Sequence, residues 1–168
     1  PWIESSLDFF DEHYSYLARQ RGCKLLDSEG HLAIYPGSGA ETFKMAYNSS
    51  STCAGLRRVT SSLIAYLEKE SADTTVILKY KMLLSQWPDI SYREINGHKV
   101  IAPAVVWSRV NNTEPTMLYP VFPWRQFGVG RDSLDIAVNT WKYDPYVLKF
   151  KGIVGWEQIG RASCRERV

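Results

Sequence analysis

A glutamate closes a glycine-rich turn in the stretch Tyr35-Pro36-Gly37-Ser38-Gly39-Ala40-Glu41-Thr42. Such a turn sits at the surface or lines a cavity. A carboxyl group held there beside apolar residues has its pKa raised by desolvation, which suits it to donate a proton near neutral pH. Composition alone favours the plainer reading of Glu41, a helix-entry or solvated carboxylate, since most glutamates are only solvated. Gly37 and Gly39 make no phosphate cradle, because the lysine and following Ser or Thr of such loops are missing. Aromatic residues are the second signal. Trp107, Tyr119, Trp124 and Trp156 stand in or beside loop-rich stretches, where flat faces with a polar edge suit sugar rings or other planar partners, and also suit ordinary packing. Glu114 shares that loop, either as a solvated charge or as an acceptor of ligand hydroxyls.

Other chemistries find little footing. His13, His31 and His98 are far apart and none has a second zinc-type ligand within helical reach, so no metal site is expected. No Gly-x-Ser-x-Gly elbow exists for a serine nucleophile, and no cofactor is implied. His13 and Cys23, without a partner identifiable from sequence, are expected in the core. Cys23 and Cys53 could pair in an oxidising compartment or stay as buried free thiols. Asn48-Ser49-Ser50 and Asn111-Asn112-Thr113 fit the N-glycosylation acceptor pattern and hint at an extracellular or secreted protein, although Asn48 also reads as a helix cap.

The 168 residues are 45% hydrophobic and 23% charged, enough apolar content to bury a core. The formal charge of +2 is contributed by Arg161, Arg165 and Arg167 against Glu166, leaving residues 1–158 balanced and without the basic face that a nucleic-acid partner requires. That C-terminal run, residues 159–168, resembles the in-frame translation of a common sequencing adapter, and is set aside as a non-native tail. With Pro1 opening directly into a helical pattern, the expectation is an internal piece of a longer protein that continued past Gln158. No window reaches the ~18 to 20 apolar residues of a membrane span.

Several elements must position these side chains. Ile3, Leu7, Phe10, Tyr14 and Leu17 recur at helical spacing up to about Arg21. Lys24–Leu26 and His31–Tyr35 flank a polar turn and suit a short hairpin, followed by a loop over 36–39. The polar run Asn48 to Thr52 offers caps for a helix to about Lys69, and Asp73 caps another ending before Pro88. Asn96-Gly97 marks a hairpin between Ser91–Ile95 and Lys99–Ala102. A long proline- and aromatic-rich loop from Pro103 to Arg131 precedes a last helix, Ser133 to Tyr143. Nothing supports a parallel sheet, and no fixed repeat is present.

The order of Phe9-Phe10-Asp11-Glu12-His13-Tyr14, Leu26-Asp27-Ser28-Glu29-Gly30-His31-Leu32 and the Glu41 turn resembles glycoside hydrolase family 95. Leu118-Tyr119-Pro120-Val121-Phe122-Pro123-Trp124 and Asn139-Thr140-Trp141-Lys142-Tyr143-Asp144-Pro145 extend the likeness across residues 1–158. The resemblance implies a mainly α fold, part of an (α/α)6 toroid with short β-hairpins in the loops. It further implies an inverting exo-glycosidase that removes a terminal fucose or galactose, with Glu41 as general acid under apolar cover from Tyr35 and Phe43. Tyr35, Trp107, Glu114, Tyr119, Trp124 and Trp156 are then the expected sugar contacts.

Inversion also needs a second carboxylate, roughly 6.5 to 9.5 Å away, to activate water. The resemblance puts an acidic residue just after Gly155-Trp156-Glu157-Gln158, where Ile159 begins the foreign tail, so the piece alone is expected to be inactive. Where the family carries two histidines, this chain has Glu114-Pro115-Thr116-Met117-Leu118-Tyr119, and Glu114 is a candidate replacement for the hydroxyl contact. Two other readings stand beside the hydrolase: a non-catalytic carbohydrate-binding toroid, and a helical protein-interaction scaffold with no sugar affinity.

Overall fold

The computed structural model describes residues 1–150. Along them run α1 (Trp2–Gln20), β1 (Gly37–Gly39), β2 (Phe43–Ala46), α2 (Ser50–Lys69), α3 (Thr74–Gln86), β3 (Tyr92–Ile95), β4 (His98–Ile101), β5 (Arg109–Val110), a 3-10 turn at Thr116–Leu118, α4 (Leu134–Tyr143) and α5 (Pro145–Phe150). The helices at Trp2–Gln20, Ser50–Lys69 and Thr74–Gln86 follow the apolar periodicity closely. In α2 the buried positions Leu56, Thr60, Leu63, Ile64 and Leu67 lie on one face. That face meets Leu7 and Tyr14 of α1, Tyr80 and Leu83 of α3, and Leu32, Ile34 and Trp87 in one apolar cluster. Trp87 is fully buried, and its indole N–H donates to Thr60 Oγ1 at 2.9 Å, so the largest core side chain leaves no orphaned donor. Asp73 caps α3 by accepting from the Thr75 N–H at 2.7 Å.

A second cluster lies under the long loop. Phe43, Ile101, Met117, Leu118, Val121, Phe127, Ile136, Ala137 and Val147 pack together there. Its helix, α4, packs on β4, and the Thr140 hydroxyl accepts from the buried Ile101 N–H at 2.9 Å. Asp144, fully buried, accepts from the N–H groups of Tyr146 and Val147 at 2.9 and 3.3 Å at the start of α5, and from Arg93 at 2.6 Å.

This architecture overturns the expected (α/α)6 toroid. Among the described residues there are five α-helices and two small antiparallel sheets, ordered β1-β2-β5 and β3-β4, giving a small mixed α/β domain. In a toroid each helix would bury its apolar stripe on other helices. Here the stripe of α4 is buried on the β3–β4 hairpin, and the chain between α1 and α2 is tied into a sheet.

Other expectations are corrected locally. The hairpin at 24–35 shrinks to a single bridge, Leu26 with Leu32. The loop at 36–39 is instead a strand paired with β2. Asn48 is not the cap of α2, since Ser49 holds that position, and Asn48 is buried with its Oδ1 accepting from the Ile34 N–H. His13 is exposed, stacked on Phe9, because it falls on the outer face of α1. Cys23 is exposed beyond the end of α1, whereas Cys53 is buried, and among the described residues neither is in a disulfide. Helix α5 was unexpected, because Pro145 reads as a stop yet serves as a first helical residue.

Candidate carbohydrate cleft

The Gly37–Ala46 hairpin carries Glu41 at its tip, and three contacts fix that hairpin to the segment leading to Tyr119. The Asn111 N–H donates to the Thr42 carbonyl at 2.8 Å, and the Glu114 N–H donates to the buried Thr42 hydroxyl at 3.2 Å. Gly39 supplies the third: a Cβ there would sit 2.9 Å from Thr116 Oγ1, so only glycine lets the strand lie this close to the 3-10 turn. On the other side, the Ser49 hydroxyl donates to the Ser38 carbonyl at 3.1 Å and ties the hairpin to the start of α2.

Between these elements and α1 opens a cleft of about 380 Å³, a size that suits a small-molecule ligand. Ser38 and Ala40 line one edge, Leu7 and Phe10 of α1 another, and Tyr119 and Trp124 a third. The floor is the start of α2, with Ser51, Thr52 and Gly55. In a first helical turn the backbone N–H groups lack intrahelical acceptors, and the Ser49 side chain does not cap them here. The Trp124 indole lies against Gly55, with its Nε1 buried and, among the described residues, without a hydrogen-bond partner. Gln126 Nε2 donates to the Ala54 carbonyl at 3.2 Å and holds the same loop on the helix.

Tyr119 donates its hydroxyl to Glu114 Oε1. Burial pushes the phenol's pKa well up, and the adjacent carboxylate pushes it further, so Tyr119 keeps its proton at neutral pH. Glu114 is half-buried. Glu41, in contrast, is exposed, and its Oε2 accepts from Asn112 Nδ2 at 3.3 Å. The apolar cover expected for Glu41 is absent: Phe43 turns into the second core, and Tyr35 lies 6.1 Å from Tyr47, with the Arg21 guanidinium 5.1 Å over its ring.

The expected contacts therefore divide. Tyr119 and Trp124 meet in one cleft, Glu114 stands behind Tyr119, and Glu41 follows the lining residue Ala40. Trp107 belongs to a separate hollow of about 440 Å³ with Tyr92 and Arg93, and it packs edge-on to Phe43 and Tyr146. Trp156 lies outside the described residues, as do the Gly155–Gln158 stretch and residues 159–168. Ser38, Ser51, Thr52 and Gly55 were not anticipated as lining residues. Their signal was present in the polar run after Asn48 and in a lone glycine inside a helical pattern, which marks close approach of another group.

The motif at 139–145 is accounted for by structure: Thr140 pins β4, and Asp144 opens α5. Among the described residues no cluster of His, Cys, Asp or Glu could hold a metal ion, and no helix is long and apolar enough to cross a membrane. Comparison of the chain with protein-family models, with curated proteins and with solved structures gives no match.

Proposed function

We propose that this chain binds carbohydrate in the Tyr119–Trp124 cleft as a segment of a glycoside hydrolase acting on a terminal sugar such as fucose or galactose, with Glu41 as the proton donor. One observation carries the reading: two aromatic side chains share an apolar cleft over the start of α2, and the tyrosine donates to a half-buried carboxylate. A pyranose has an apolar face and a rim of hydroxyls. The Trp124 and Tyr119 rings, with Leu7, Phe10 and Leu56, suit the apolar face, and the hydroxyl rim would point to the cleft mouth. Glu41 follows the lining residue Ala40 in the chain, with the Asn112 amide on its carboxylate. An extracellular location remains part of this proposal.

Calorimetric titration with methyl glycosides of common pyranoses tests the binding half. Saturable binding of at least one sugar is expected, weakened at least tenfold by Trp124→Ala and unaffected by Trp107→Ala. No binding of any sugar overturns the reading. For the hydrolytic half, azide can stand in for a missing base, because it attacks the anomeric carbon directly. Azide-dependent cleavage of an alkyl glycoside, whose poor leaving group needs a proton, should vanish in Glu41→Gln with the dissociation constant unchanged.

A non-catalytic carbohydrate-binding protein is the second reading, favoured by the exposure of Glu41. It predicts the same binding and no cleavage with or without azide.

A further inference from the structure

The chain holds two acceptor triplets for N-linked glycans, and the fold treats them in opposite ways. Asn48 is 7% exposed and sits at a positive φ of 50°. It is tied twice to one residue: its N–H donates to the Ile34 carbonyl at 3.1 Å, and its Oδ1 accepts from the Ile34 N–H at 2.9 Å. A sugar on its Nδ2 would have to occupy the packed interior or pull the residue out, leaving the Ile34 N–H unpaired where no water reaches it.

Asn111 is exposed, immediately after β5. Its backbone is held by the bond to the Thr42 carbonyl, and among the described residues no hydrogen bond engages its side chain. The neighbouring Asn112 uses its carboxamide inward, with Nδ2 on Glu41 and Oδ1 on the Thr113 N–H at 2.8 Å. The middle residue of the triplet is therefore committed to the hairpin while the acceptor itself faces solvent.

We propose that Asn111, and not Asn48, is an N-glycosylation site of this protein. The donor is a lipid pyrophosphate-linked oligosaccharide. Asn111 Nδ2 forms the bond to the anomeric carbon of its first sugar and loses one proton to a transferase base, and the lipid pyrophosphate leaves with the electron pair of the broken C–O bond. The glycan would rise beside β5, one of the two edge strands of the β1-β2-β5 sheet, and would cover an edge that could otherwise pair with another chain. It would also stand at the hairpin rim that carries Glu41.

The test is secretion of the full chain from eukaryotic cells behind an added leader, which makes the result independent of where the protein resides naturally and of whether the cleft binds sugar. Peptide N-glycosidase should cause a single mobility shift, and mass spectrometry in the product should find Asn111 converted to Asp and Asn48 intact. Asn111→Gln and Thr113→Ala should each abolish the shift, while Asn112→Gln should keep it. Occupancy at Asn48 in the secreted wild-type chain, or none at Asn111, overturns the proposal.

Discussion

Substituting Gly55 by alanine tests whether the Trp124–α2 contact builds the cleft. A Cβ at position 55 would lie 2.9 Å from Cζ2, 3.0 Å from Cε2 and 3.4 Å from Nε1 of Trp124. Ordinary carbon contacts begin at about 3.5 Å, so the indole must retreat by roughly 0.5 to 1 Å. Three terms decide the stability. Alanine in a helix interior gains about 1 kcal/mol over glycine. The retreat gives the buried Nε1 access to water and relieves an orphaned donor, a state that costs about 1–3 kcal/mol. Against these stands overpacking, typically about 1–3 kcal/mol. Because Trp124 is half-buried and faces the open cleft, the ring has somewhere to go, and overpacking reaches the upper half of its range only if the ring stays put. The sum lies between about 1 kcal/mol of loss and about 3 kcal/mol of gain, centred near a gain of about 1 kcal/mol.

Binding should not be spared. A displaced ring intrudes on the space that a ligand needs and loses the alignment that an aromatic contact worth about 0.5–1.5 kcal/mol requires. The expected outcome is a urea midpoint close to or somewhat above that of the unsubstituted chain, with sugar affinity down about tenfold, equivalent to about 1.4 kcal/mol. Urea unfolding followed by circular dichroism and calorimetric titration read the two quantities separately. Unchanged affinity would refute the reasoning, since the contact would then shape nothing a ligand feels. A collapse in stability would refute it differently, by showing that the indole cannot move.

Three further outcomes are expected. Asp144→Ala leaves Arg93 without its 2.6 Å partner and the first turn of α5 uncapped, and should cost about 3 kcal/mol, read as a lowered melting temperature. The N–H groups of His31 and Glu29 hold the Asp27 carboxyl below the usual carboxylate range, so its contribution to stability is complete above the unfolded value of about 3.9 and is lost as pH falls through the lower folded value. Asp27→Asn keeps an acceptor for both N–H groups but removes the charge, and should flatten the acid limb of a stability profile below about pH 4. Burial pushes the Cys53 thiol up to about 12, so iodoacetamide should label Cys23 in the native chain and reach Cys53 only after unfolding, checked by peptide mass spectrometry.

The helices were legible because their signals are local. Asp73 and Pro88 bracket α3, and Asn96-Gly97 sets the β3–β4 turn with both residues at positive φ, 51° and 77°. The β1-β2-β5 sheet was not legible, because its strands are two to four residues long and draw their partners from opposite ends of α2 and α3. Such strands carry too few residues for a period-two pattern to show. The same distance effect hid the fold class: the stripe on α4 announces that something is buried, but not whether a helix or a hairpin covers it.

The site divides along the same line. Trp107, Tyr119, Trp124 and Trp156 were readable only as a group of rings in or beside loops, and of these the structure brings Tyr119 and Trp124 into one cleft. Tyr35 and Trp107 carry equally suitable rings, yet one is engaged by Arg21 and the other by Arg93, Phe43 and Tyr146, which are partners that no spacing reveals. The two carboxylates reverse the order of interest that sequence gave them. Glu41 drew attention through its glycine-rich turn, but those glycines serve the hairpin: Gly39 makes room for Thr116 and leaves the carboxylate outside. Glu114 sits in irregular backbone before the 3-10 turn, without any such glycines, and is the one held in place, by its own N–H on Thr42 and by the Tyr119 hydroxyl on its side chain. A ligand is oriented by groups that cannot move away from it, whereas a proton donor must reach the bond that breaks. Under the proposed function the fixed carboxylate would serve recognition and the exposed one chemistry, which is why turnover and affinity have to be measured on Glu41 variants as separate quantities.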